Sequence, residues 1–79
     1  MPKKKLLPEY ETDQAVELIR QHIHNRIDRD MLYLRLIDGL TYERIAQEIY
    51  LKYDIRFEVK TVRTHINKGE DIIFAHIPG

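Results

Sequence analysis

Apolar residues recur at three- and four-residue steps through most of this chain, and the points where that rhythm stops divide it into helices. Ala15, Leu18, Ile19, His22, Ile23 and Arg26 share one face of a helix that begins at Thr12 or Asp13. Thr12 is an N-cap residue, and Asp13 places a negative charge where the helix dipole favours it. The next helix is predicted to start after Asp28, again as N-cap, and to run through residues 29–37. Asp38 and Gly39 end it, with Gly39 in the left-handed position past the C-terminus. This segment is apolar nearly all round, which places it at the centre of the fold. Met31, Leu32, Leu34, Leu36 and Ile37 are the main core candidates.

A third helix starts at Thr41, whose hydroxyl can cap the first free amides. Tyr42, Ile45, Ala46, Ile49 and Tyr53 form its inward face, and the small Ala46 allows a neighbouring helix to approach. Arg44, Gln47 and Glu48 face outward. The helix is expected to break at Asp54. Ile55, Phe57 and Val59 then alternate with Arg56 and Glu58, the signature of an extended, irregular link with Phe57 against the core. A fourth helix starts between Val59 and Thr61, with Val62, Ile66, Gly69 and Ile73 as its inward stripe. Lys60, Arg63, Thr64, Asn67 and Lys68 occupy the other side. Gly69 either ends this helix or permits a close backbone contact. Residues 70–75 either extend it or form another short helix. The expected fold is therefore all-α: a small bundle of four to five helices over residues 12–79, preceded by a flexible basic arm over 1–11.

Composition narrows the function classes. A chain of 79 residues is one small domain with a thin core. It has no cysteine, which removes disulfides and thiolate metal sites and fits the cytoplasm. No apolar run approaches a transmembrane span, so no membrane partner is expected. The formal net charge is +0, but charge is unevenly placed. Lys3, Lys4 and Lys5 make the arm basic, and the segment from Glu9 to Asp30 is acidic. Between Arg56 and Lys68, the cations Arg56, Lys60, Arg63 and Lys68 stand against one anion, Glu58.

Two amphipathic helices over 40–49 and 59–69 joined by a link have the content of a helix-turn-helix, whose second helix enters the DNA major groove. The residues carry a family likeness here. Asp28 through Ile49, with Gly39-Leu40-Thr41-Tyr42 followed by Ile45-Ala46, resembles region 4 of bacterial sigma factors. Thr61-Val62-Arg63-Thr64-His65-Ile66 is similar to the start of that family's recognition helix. The span from Tyr50 to Glu58 departs from the family: it is longer than the usual turn and lacks glycine. The resemblance implies a helix-turn-helix with an extended turn. The chain has no space for a promoter-melting region, so the expectation is a small stand-alone regulator of the prophage or mobile-element type and not a complete sigma factor.

The function expected is a sequence-specific, DNA-binding transcriptional regulator with double-stranded DNA as partner. Arg63 suits a guanine, Asn67 an adenine, and Thr64 a thymine methyl or a phosphate. Lys60, Lys68 and Arg44 suit phosphates, and Thr61 at the helix start can bind one through the free amides. The alternative for each is a solvated helix face. A homodimer reading repeated half-sites is expected, with Ile72, Ile73, Phe74 and Ile77, or the first helix, supplying the contact. A second reading is a protein-interaction module that binds RNA polymerase or a sigma factor without touching DNA. An enzyme is not expected: there is no cysteine or serine nucleophile and no glycine-rich phosphate loop. His65 near Glu58 and His22 near Glu17 read as helix-surface residues. A half-buried, hydrogen-bonded role suits His22 better than metal ligation, and neither a cofactor nor a metal is expected.

Overall fold

Helices follow the hydrophobic rhythm in chain order. They are α1 (Thr12–His22), α2 (Arg26–Leu32, continued as a wider turn over Tyr33–Ile37), α3 (Tyr42–Tyr53) and α4 (Val59–Ala75). The computed structural model describes residues 12–76; the basic arm over 1–11 and Ile77 lie outside the described residues. The chain is a small all-α bundle, with no strand among the described residues.

Helix α1 begins where expected but stops at His22, short of Arg26. Its face buries Ala15 and Ile19, and Ile23 is buried in the turn that follows. The start of α2 differs from the sequence expectation. Asn25, not Asp28, is its N-cap: the Asn25 side-chain oxygen accepts from the amides of Ile27 at 2.9 Å and Asp28 at 3.1 Å. Asn25 holds extended backbone angles (φ −83°, ψ 128°) that a cap requires. Asp28 thus falls inside the first turn, free to reach across to another helix. The end of α1 is closed by Arg29, whose guanidinium donates to the carbonyls of Ile23 and Arg20. A cation there satisfies orphan carbonyls and complements the dipole.

Beyond Leu32 the helix widens. The Asp38 amide donates to the Tyr33 carbonyl five residues back at 3.1 Å, and the Leu40 amide to Leu34 at 3.0 Å. Gly39, with φ +72°, then turns the chain as expected. Arg35 pins this turn: its guanidinium donates to the Leu40 carbonyl at 2.9 Å and lies 4.3 Å from the Tyr42 ring centroid. The apolar segment is central, with Met31, Leu32 and Leu36 buried. Leu34 and Ile37 are only half-buried, because a helix apolar on every side buries the faces its neighbours cover.

Thr41 caps α3, its hydroxyl accepting from the Arg44 amide at 3.2 Å. Ile45 and Ile49 are buried, with Tyr42, Ala46 and Tyr53 half-buried around them. Asp54 ends the helix in the left-handed region (φ 59°, ψ 33°), a conformation a short polar side chain tolerates without glycine. The link over 54–58 is irregular, and Phe57 rests against the core.

Helix α4 is one continuous helix of 17 residues packed on α1, α2 and α3. Its stripe Val62, Ile66, Gly69 and Ile73 is buried. Residues 70–75 extend it, and Gly69 serves close approach rather than termination. This phase corrects the expected dimer surface: Ile73 is 2% exposed and Phe74 packs against the core. Of the described residues in that group only Ile72 remains exposed, at 42%. No described helix is long and apolar enough to cross a membrane.

Candidate nucleic-acid interface

The buried stripe of α4 fixes what the helix offers to solvent. With about 100° of rotation per residue, Arg63, Asn67, Lys60 and Thr64 fall within an arc of roughly 100° opposite that stripe. All of them are exposed. The Thr64 hydroxyl donates to the Lys60 carbonyl at 3.0 Å, a bond within the helix that holds its rotamer. The side chains expected to read bases thus project together, and no other described element covers them.

The remaining candidates divide. Lys68 is exposed but lies at the margin of this face, beside a depression lined by Ile23, Asp28, Thr64, His65 and Ile72. Thr61 is half-buried in the first turn, where its amide bonds the Glu58 carbonyl at 3.0 Å. Arg44 is not on α4 at all: it is exposed on α3 and pairs with Glu48 at 3.7 Å.

What orients α4 was not visible in the sequence. His65 faces away from the exposed arc, and its Nδ1 lies 2.9 Å from Asp28 Oδ1. A carboxylate only accepts, so Nδ1 carries the proton in this pair. The Phe57 ring meets the same imidazole at a tilted angle, with centroids 5.7 Å apart. His65 is therefore a half-buried tie between α4 and α2, and its partner is Asp28 rather than Glu58. Asp30, two residues on, ties α2 to the end of α3. It accepts from the Tyr53 hydroxyl and pairs with Lys52 Nζ at 3.0 Å. The hydrogen bond to Asp30, then the charge of that carboxylate, raises the Lys52 pKa above its ordinary 10.5. The separate hydrogen bond that the Tyr53 hydroxyl donates to Asp30, helped by desolvation, raises Tyr53 above 10.0.

These ties consume charge. Lys52, Arg44, Arg35 and Arg29 each have a carboxylate or carbonyl partner. Arg56, Lys60, Arg63 and Lys68 have no acidic partner among the described residues. Arg56 belongs to the basic segment of the sequence but is not among the contacts expected from it. Its guanidinium rests 5.0 Å over the Tyr50 ring, a pairing across the link that residue spacing does not reveal. His22 is half-buried as expected, with its ring stacked on His76 at 3.7 Å. No group of three or more His, Asp or Glu suited to hold a metal occurs among the described residues.

A scan against protein-family models finds no match, and neither the curated proteins nor the solved structures searched contain a match to this chain.

Proposed function

We propose that this protein is a sequence-specific DNA-binding regulator of transcription, acting in the cytoplasm, whose α4 enters the major groove as the recognition helix. In this reading α3 and α4 form a helix-turn-helix with an extended turn over 54–58, resembling sigma factor region 4 in a small stand-alone regulator of the prophage type. No substrate turnover is part of it. The observation that carries it is the joint projection of Lys60, Arg63, Thr64 and Asn67 from one uncovered helix face, with cations that lack acidic partners among the described residues. Desolvating such cations against phosphate costs no internal ion pair, and counterion release supplies the affinity.

Arg63 bonds both acceptors of a guanine, and Asn67 pairs with an adenine. Thr64 spends its hydroxyl proton on the Lys60 carbonyl, which favours contact between its methyl group and a thymine methyl. Lys60 and Lys68 flank these as phosphate contacts, and Thr61 at the helix start adds a third. Arg44 serves as another because its exposed pair with Glu48 is weak enough for a phosphate to displace. One such helix makes few base contacts, so two copies on repeated half-sites belong to the proposal.

Selection of bound sequences from a random duplex pool tests it. A defined motif is expected, and Arg63→Ala should then lose about 1–3 kcal/mol on the best site and relax preference at one base pair. Failure of the parent to bind any duplex at low salt overturns the reading. Retention of the parent on RNA polymerase in that case would establish the protein-interaction alternative.

A further inference from the structure

The link over 54–58 departs most from an ordinary short turn, and it holds a side chain whose chemistry the reading above leaves unused. Arg56 is exposed, and its one interaction among the described residues is with a ring face: the guanidinium lies 5.0 Å over Tyr50. A ring face takes no N–H donor in its plane, so the donors of the fork remain open at the edge while the aromatic contact limits how the side chain moves. By contrast, Arg29 and Arg35 spend donors on backbone carbonyls. Arg56 also lies on the rim of a groove between the outer face of α3 and the link, where Ala46 and Phe57 line it beside Glu43 and Gln47. Ala46 is the small residue that leaves this space open. Arg56 stands three residues before α4 starts at Val59, at the end of the helix whose first turns carry Lys60 and Arg63.

The geometry points to a phosphate-binding position on the link: Arg56, steadied on Tyr50, engages a backbone phosphate of the duplex whose bases α4 reads. A ring-held, unspent guanidinium matches the paired oxygens of a phosphate, and a phosphate carries no base identity. The extended link is then part of the binding surface and not merely a longer tether. This rests on the DNA-binding reading and deepens it.

The test uses the full chain and the duplex selected from the random pool, with affinity measured across a salt series. Arg56→Gln should weaken binding uniformly across sequence variants of the site and make the slope of log K against log salt shallower by about 0.9, the effect of one lost phosphate contact. Tyr50→Leu keeps the cation but removes its support; it should weaken binding with the slope unchanged. Glu43→Gln should tighten binding, since it removes a carboxylate from the groove that the phosphate approaches. Melting followed by circular dichroism confirms that the exposed substitutions leave the fold intact. An Arg56→Gln protein with the parent's affinity and slope overturns the assignment, and so does one that changes base preference with the slope unaltered. If Arg63→Ala still loses selectivity in that case, DNA recognition by α4 stands and only the link's role fails. A parent that binds no duplex overturns both.

Discussion

Gly69 shows how one residue sets the spacing of two helices. A Cβ built on it would lie 2.6 Å from Leu32 Cδ1 and 3.1 Å from both Cδ2 and Cγ. Leu32 has no exposed surface, so its side chain cannot swing into solvent to make room. Two effects oppose each other in Gly69→Ala. Alanine gains about 1 kcal/mol of helix propensity over glycine. Overpacking a closed core costs about 1–3 kcal/mol. The steric term is expected to win, with a net loss on the order of 1 kcal/mol in urea unfolding. Leu32→Val should relieve the clash, so the double variant should be less destabilised than the sum of the single ones, with coupling above about 0.5 kcal/mol. A Gly69→Ala protein more stable than the parent would show that α2 and α4 have slack between them. The sequence left the role of this glycine open because the deciding neighbour lies on α2, far back in the chain.

At the level of helices, the two carboxylates near the start of α2 organise the other elements. Asp28 takes His65 of α4, and Asp30 takes Lys52 and Tyr53 at the end of α3. The second contact has a definite pH signature. The fold raises Lys52 above 10.5 and Tyr53 above 10.0 by the hydrogen bonds they make to Asp30. A group whose folded pKa is raised holds its proton more tightly when folded, so its stabilisation is complete below the unfolded value. It is lost as pH rises through the folded value. The thermal midpoint should therefore be insensitive to this contact up to about pH 10 and fall beyond it. Asp30→Asn should lower the midpoint at neutral pH and flatten the alkaline decline; parallel curves for the two proteins above pH 10 would refute the linkage. What was legible at this scale was local. Thr41 as cap, Gly39 and Asp54 as stops, and the α4 stripe each follow from a residue and its near neighbours. The N-cap of α2 lies at Asn25 and not Asp28 because both are strong cap residues within an apolar phase that runs on past His22, and only the fold selects between them. The ties from Asp28 and Asp30 were invisible because each partner lies on a different helix, and only the fold brings them together. The exposed face of α4 was readable for the same reason as its stripe. The support of Arg56 by Tyr50 was not, since it depends on where the link doubles back.

For the whole molecule, a formal net charge of +0 argues against DNA binding only if charge is spread evenly. It is not. Asp28, Asp30 and Glu48 are engaged with His65, Lys52 and Arg44, whereas Arg56, Lys60 and Lys68 face outward without acidic partners among the described residues. In the proposed reading, a neutral molecule whose α4 face carries unpaired cations, with the exposed Asp71 toward its far end, gains little from long-range attraction, and its affinity would come from phosphates met at contact. The salt dependence then counts those contacts. If Arg44, Arg56, Lys60 and Lys68 each neutralise one phosphate, the slope of log K against log salt should be about −3.6 for a single copy and about −7 for two copies bound together. Stoichiometric titration of the selected duplex distinguishes these cases independently. Two copies also require half-sites spaced by about one helical turn, 10–10.5 base pairs, or a multiple of it. A steeper slope with one copy per duplex would mean that further cations join the interface, and a shallower one that Glu48 keeps Arg44. A slope near zero would leave affinity without an electrostatic source, and a face so placed would have to meet protein instead of nucleic acid.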